Sequence, residues 1–305
     1  MSQTLAPLRH NLEGLDSAVA TDSRRLFHGR GNCFLNYEHL VVDWFWPAII
    51  VTFFSNKGED SEADFLSYIR AKIDSSISVY VQRRYQTRPA YTHFCGPALD
   101  QLYARRGNLR FALQLENQNI GFFLDIEPAR KWLEEQCRGA AVLNLFSYTC
   151  SFSLLASSVG AKSVLNMDLS SKSLGVGRQS YHASDVSLDG VTFFANDILK
   201  SWSRLKRFGP YDIVIVDPPS FQKGSFIADK DYIKVLRRLA SFSTAKAKVL
   251  CCLNAPEVMF SAFKDLLDQH LDSFVFERRL EPSPDFPSKD LNRGLKMFVY
   301  SKADV

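Results

Sequence analysis

From Ala141 onward the chain alternates short apolar runs with helical patterns, and few architectures accept that order. The runs fall at 141–146, 163–167, 191–195, 211–216 and 248–253, with helical periodicity between them at about 151–159, 171–184, 197–206 and 230–245. Runs this short and this apolar are strands covered on both faces, which means a parallel sheet. Right-handed crossovers then wind the helices onto both sides. After a helix near 256–270, runs at 274–280 and 296–301 add two strands, expected as an antiparallel hairpin at one edge. The fold class read here is α/β, doubly wound and mostly parallel.

The 305 residues exceed the usual size of one domain, so a smaller unit should precede this sheet. Strands are predicted at 40–43 and 48–54, a helix from about 56–60 that carries Phe65, Tyr68, Ile69 and Ile73 at helical spacing, and a strand at 77–84. This is a small α+β domain. Residues 1–20 show no sustained period and read as a loosely held leader. The alternating run 109–115 and the run 121–125 flank a polar stretch and predict a hairpin that leads into a helix at 128–138. The expected division is therefore 1–20 leader, 21–108 small domain and 109–305 main domain.

Hydrophobic residues at 46% and charged residues at 23% describe a globular chain. No apolar run approaches the roughly 20 residues that span a bilayer, and residues 1–9 carry no signal pattern. The expectation is a cytoplasmic protein without a membrane partner. Cys33, Cys95, Cys137, Cys150, Cys251 and Cys252 show no Cys-x-x-Cys spacing, so reduced thiols and no metal are expected. The net charge of +4 is mild, but between 83 and 110 Arg83, Arg84, Arg88, Arg105, Arg106 and Arg110 face Asp100 alone, with Tyr85, Tyr91, His93, Phe94 and Tyr103 interleaved. Arginines among aromatics suit phosphates and unstacked bases; a solvated basic face explains them equally well.

Ligands of an open α/β sheet bind beyond the carboxyl ends of its strands. The run Tyr211-Asp-Ile-Val-Ile-Val ends in Asp217-Pro218-Pro219-Ser220-Phe221, a corner whose prolines fix the backbone and free its carbonyls. With an acid and an aromatic ring, that corner can hold a planar group bearing an amine. The first strand runs from Asn144 through Phe146, Tyr148 and Thr149 into a helix start, which favours a carboxylate. The second ends at Asp168-Leu169, suited to the hydroxyls of a ribose, and the third at Asn196-Asp197, suited to an adenine edge. Each alone reads better as a helix cap, but caps do not readily explain polar groups at the ends of successive strands that lead to Asp217-Pro-Pro. The first loop lacks the Gly-x-Gly-x-x-Gly turn of dinucleotide sites. A single nucleoside with a carboxylate, as in S-adenosylmethionine, meets all of these requirements.

The segments Asn144-Leu-Phe-Ser-Tyr-Thr-Cys-Ser-Phe152, Asp168-Leu-Ser170 and Asp217-Pro-Pro-Ser-Phe221 resemble the motifs of the class I methyltransferases that modify bacterial large-subunit (23S) ribosomal RNA. Gln118-Asn-Ile-Gly121-Phe-Phe-Leu-Asp125 with Arg130 resembles that family's lead-in to the catalytic domain, and Arg25-Leu-Phe-His-Gly-Arg-Gly31 with Leu40-Val-Val-Asp43 its small central domain. The resemblance implies a Rossmann-like sheet, S-adenosylmethionine bound by Asn144, Phe146, Tyr148, Thr149, Asp168, Leu169, Asn196, Asp197 and Asp217, and an RNA substrate. Two departures stand out. Cys150 occupies the family's usual glycine, and 20 leader residues are too few for the RNA-binding module of the pseudouridine-synthase-associated (PUA) type.

Methylation of cytosine at carbon 5 requires a thiolate to add to the ring first. In the cytosine-modifying members of the family that this sequence resembles, that thiol lies just past the fifth strand, where Asn254 stands here, while Cys251 and Cys252 lie inside an apolar strand. An exocyclic amine, as on guanine, needs only positioning, so it is the expected acceptor, gripped by Asp217 and the Pro218 carbonyl with Phe221 stacked on the base. Arg83, Arg84, Arg88, Lys223, Tyr232 and Asn254 are the expected substrate contacts. Three alternatives remain open: cytosine chemistry through Cys252, a small-molecule or protein acceptor, and a non-catalytic RNA-binding module with a decayed cofactor pocket.

Overall fold

A computed structural model describes residues 3–219, 221–222 and 226–303; for 3, 221–222 and 226–230 it describes the backbone alone. The chain forms two compact units, Met1–Leu124 with Ser283–Asp290, and Asp125–Pro282 with Leu291–Val305. No helix among the described residues is long and apolar enough to cross a membrane.

The first unit begins with Ala6–Glu13 (α1). Leu5, Leu8 and Leu12 are each at most 2% exposed and share one core with Phe27, Val42, Trp44 and Phe65. The expected loose leader is thus a packed helix, since each buried leucine contributes about 1.5–3 kcal/mol. Among the described residues, Arg24–His28 (β1), Leu40–Phe45 (β2), Ala48–Phe53 (β3), Ser78–Arg83 (β4) and Tyr91–Cys95 (β5) make a sheet in that order. The parallel pair β3–β4 is bridged by Glu59–Arg70 (α2), which lays Phe65, Leu66 and Ile69 into the core.

Tyr103–Arg106 (β6) and Leu109–Ala112 (β7) form a separate hairpin that turns at Gly107-Asn108, with Gly107 at φ 55°. The alternating run from Leu109 therefore pairs with the segment before it, not with 121–125. The Gly-Asn dipeptide is the turn signal responsible. The hairpin belongs to the first unit, and the division falls after Leu124, not at 108.

The second unit is the expected sheet. Its elements are Glu127–Gln136 (α3), Ala141–Leu145 (β8), Ser151–Ser158 (α4), Ser163–Asp168 (β9), Ser171–Ala183 (α5), Val191–Ala195 (β10), Trp202–Phe208 (α6) and Tyr211–Val216 (β11). Phe221–Gln222 (β12) and Phe226–Ile227 (β13) make a short antiparallel pair; Ala228–Leu239 (α7), Ser243–Leu253 (β14), Phe260–His270 (α8), Phe274–Arg279 (β15) and Lys296–Lys302 (β16) follow. The seven strands described run β10-β9-β8-β11-β14-β16-β15, parallel through β14, with β16 and β15 the antiparallel edge pair.

Strand alternation divides the core into two layers. Ile213 and Ile215 pack with Trp132, Leu133, Phe152 and Ala156 of α3 and α4. Val214 and Val216 pack on the other side with Val235, Leu236, Phe263 and Leu267 of α7 and α8. The double apolar coverage read from the sequence is this sandwich.

Candidate active site

The registers of β9, β8, β11 and β14 line up Met167, Leu145, Val216 and Cys251 in one row across the sheet. Asp168 and Asp217 are the next residues of their strands, so both lie at the same end of the sheet. They are two strand spacings apart, about 10 Å. The strand between them, β8, leads into the loop 146–150. Strand order reverses there, the position where open α/β sheets bind ligands.

That loop is tightly curled. Phe146, Tyr148 and Cys150 have φ of 57°, 46° and 60° without being glycine, a backbone region that costs an ordinary residue about 1–2 kcal/mol. Local bonds offset the strain. The Ser147 amide donates to the Met167 carbonyl at 3.2 Å, the Cys150 amide to the Ser147 carbonyl at 2.7 Å, and the Tyr148 amide to Asp168 Oδ2 at 2.9 Å. Cys150, fully buried, packs on Gly177 of α5: a Cβ at position 177 would sit 2.7 Å from its sulfur. A missing side chain on the neighbouring helix accommodates the cysteine that replaces the family's glycine. Burial pushes the Cys150 thiol up to about 12, so it is an inert apolar filler.

Asp168 also accepts the Ser170 amide on Oδ1 at 2.8 Å. Burial raises its pKa, opposed by those amide bonds. The amides of Ser170, Tyr148 and Leu169 all bond this carboxylate, which leaves part of its acceptor capacity of about four lone pairs open. Asp168 can therefore still accept from a ribose hydroxyl, and the nucleoside fits the donor set on that count. The amide of Asn196 donates to the Asp168 carbonyl at 3.0 Å, which holds the end of β10 beside it. Asn196 accepts from Arg204 on Oδ1. Asp197 caps the following turn through the Leu199 amide at 2.9 Å, so the helix-cap reading holds for it.

Asp217 has a pKa pushed up to about 7, first by burial and then by the nearby Asp125 carboxylate, with Arg130 opposing both. Arg130 is 1% exposed and reaches Glu127 and Ser151, each at 3.5 Å. Asp125 and Arg130 are residues that the sequence reading did not place in the site; their only signal was the lead-in motif that contains them.

Two expected contacts are corrected. Asn144 is 1% exposed within β8, where its amide donates to Ser153 Oγ at 2.8 Å and Ser153 in turn donates to Asn166. It fastens α4 to the sheet and offers no group to a cofactor. Tyr232 is 2% exposed, and its hydroxyl lies 3.2 Å from the Val216 carbonyl and 3.1 Å from that of Cys252. It ties the ends of β11 and β14 together, so its hydroxyl is committed to those carbonyls and not to a substrate. Cys252 is sealed in the α3–α4 layer with its thiol held far above its ordinary value by burial, which leaves cytosine chemistry without a nucleophile there.

Asn254 is exposed just past β14, and Leu169 is 46% exposed past β9. Phe146 and Tyr148 are half-buried and Thr149 is buried, all in the curled loop. Pro218 is buried beside Asp217. Lys223 and the side chain of Phe221 lie outside the described residues. In the first unit, Arg83 pairs with the buried Glu62 at 2.7 Å, which gives it a structural role there. Arg84 donates to Asn119 at 3.0 Å, and Arg88 is exposed.

A seven-stranded sheet with this order, an acid at the tip of β9 and an acidic proline corner at the tip of β11 define the class I methyltransferase fold. The family model described as S-adenosylmethionine-dependent methyltransferase matches residues 24–301. The chain belongs to that family. It is 26% identical over 270 residues to YwbD of Bacillus subtilis, named as a ribosomal RNA large subunit methyltransferase, covering 83% of this chain and 66% of that protein. It is 35% identical over 127 residues to ribosomal RNA large subunit methyltransferase K/L of Psychrobacter sp. (strain PRwf-1), covering 39% of this chain and 16% of that one. The chain thus spans less than two thirds of the length of these relatives. Among solved structures, SMU.776, described as a methyltransferase complexed with SAH, superposes with a TM-score of 0.84 at 21% identity over 99% of this chain and 82% of that one.

Proposed function

We propose that this protein transfers a methyl group from S-adenosylmethionine to RNA, with ribosomal RNA the class favoured by the names of its relatives, and that the acceptor is an exocyclic amine of a base. The observation that carries this reading is Asp217: a carboxyl with a pKa near 7, at the sheet end that also carries Asp168. When bound, S-adenosylmethionine supplies a methyl group on a sulfonium, a strong donor that needs no further activation.

The protein's work is then to place the amine. Asp168 would hold the ribose, the curled loop and the start of α4 the carboxylate, and Asn196 the adenine edge. Asp217 and the Pro218 carbonyl would accept the two amine hydrogens and aim the nitrogen lone pair. Asp217 would take the surplus proton that the amine carries once it is methylated. Arg130 and Asp125 set the basicity of that carboxylate, and Tyr232 fixes the strand end beneath it. Such a base must be single-stranded or flipped from its helix.

Mass spectrometry of ribosomal RNA nucleosides from a strain lacking the protein tests the proposal: one N-methylated nucleoside should disappear and return on complementation with the native gene, not with Asp217→Ala. An unchanged nucleoside profile would refute the RNA reading. Loss of a carbon-5 methylcytidine would refute the amine.

A further inference from the structure

The sheet of the second unit ends at β10, and no strand among the described residues pairs with its outer side. Phe193 and Phe194 are consecutive in this edge strand, so their rings stand on opposite faces of the sheet. On one face the guanidinium of Arg178, from α5, lies 4.3 Å from the Phe193 ring centre. On the other, Arg204 of α6 lies 4.8 Å from Phe194, which meets Phe208 edge-on at 5.1 Å, and Arg207 lies 5.3 Å from Phe208. Phe208 is 46% exposed, and Arg178, Lys200, Lys206 and Arg207 are exposed. Asp197, paired with Lys200 at 3.5 Å, is the sole carboxylate between residues 191 and 208.

We propose that this edge of the catalytic sheet is a contact surface for single-stranded RNA; the inference rests on the RNA reading above. An arginine laid on an aromatic ring keeps its in-plane N–H groups for phosphate oxygens. Arginines on both faces of one edge can follow a backbone that passes along it, and the exposed Phe208 ring offers a stacking platform for a base. The patch leads to the site, since Arg204 bonds Asn196 at the tip of β10. Strand addition by a second copy is disfavoured, because it would bring like charges together along the edge.

The test is the affinity of a single-stranded fragment of large-subunit ribosomal RNA for the wild-type protein and for Arg178→Glu/Arg207→Glu, measured across salt concentrations. Calorimetry with S-adenosylhomocysteine serves as the folding control. The double variant should bind RNA at least about tenfold more weakly, with a salt slope reduced by about 1.4 for two lost phosphate contacts, and should retain S-adenosylhomocysteine binding. Phe208→Ala should weaken RNA binding about tenfold and leave the slope unchanged. If the double variant loses S-adenosylhomocysteine binding, Arg207→Gln takes its place, with a slope reduced by about 0.7. Wild-type RNA binding that these substitutions leave intact overturns the inference alone, and self-association of the variants would then identify the cations as guards of the strand edge. Absence of RNA binding by the wild type overturns the RNA reading itself.

Discussion

Two acids, one in each unit, show opposite ways of compensating a carboxylate drawn away from water. Glu62 in the first unit is 4% exposed and fully answered: Arg83 Nε donates to it at 2.7 Å and the Tyr85 hydroxyl at 2.7 Å. Asp217 in the second unit has another carboxylate, Asp125, as its neighbour, and the buried Arg130 compensates only in part. The first arrangement serves stability. The second leaves a proton-binding group poised near neutral pH, which is the setting required of a group that receives a proton from an amine.

The largest expected effect follows from that contrast. Asp217→Ala should lower methyl transfer by about 10³-fold while S-adenosylhomocysteine binding, measured by calorimetry, persists within a few-fold. Loss of both together would make Asp217 a folding residue like Glu62. Arg83→Glu should do the reverse, lowering stability by about 3 kcal/mol, or roughly 10 °C in melting temperature, because it strands a buried acid. A melting point unchanged by that substitution would erase the comparison.

The pH dependence sharpens it. The folded pKa of Asp217, about 7, lies above the ordinary carboxylate value, so its contribution to stability is full at low pH and is lost as pH rises from about 4 to about 7. Asp217→Asn keeps the site neutral. The variant should therefore melt above the wild type at pH 8, with a gap that closes below about pH 4. A gap independent of pH would mean that the carboxyl is not perturbed.

The smallest effect concerns the cofactor loop. Gly177→Ala should cost about 1–3 kcal/mol by pressing on Cys150, and Cys150→Gly in the same chain should recover part of it. A double-mutant cycle on S-adenosylhomocysteine affinity measures the coupling; additive effects would show that the two positions act independently.

Much of this was legible because it is written in local patterns. Five apolar runs and their intervening helices gave the sheet, and Asp168 and Asp217 were found because a strand end followed by a polar residue marks the ligand side. Asn144 failed for the same reason in reverse: it sits one residue inside the strand, where a polar side chain answers another buried polar group. Tyr232 was expected among the substrate contacts, yet helical phase turns it inward. Gly177 could not be read at all, since its partner lies on another element. The arginines on the β10 edge escaped notice because they come from two helices, whereas those at 83–110 stood together in the sequence although Arg83 is engaged within its own unit.

The central claim is that Asp217 receives the acceptor's proton at a sheet end shared with the cofactor. Single-turnover methyl transfer to ribosomal RNA, followed from pH 5 to 9, tests it most directly. The wild-type rate should rise with an apparent pKa at or somewhat below about 7, because a bound sulfonium favours the carboxylate, and the Asp217→Asn rate should be about 10³-fold lower and flat. An Asp217→Asn enzyme that keeps both the wild-type rate and its pH dependence would contradict the account.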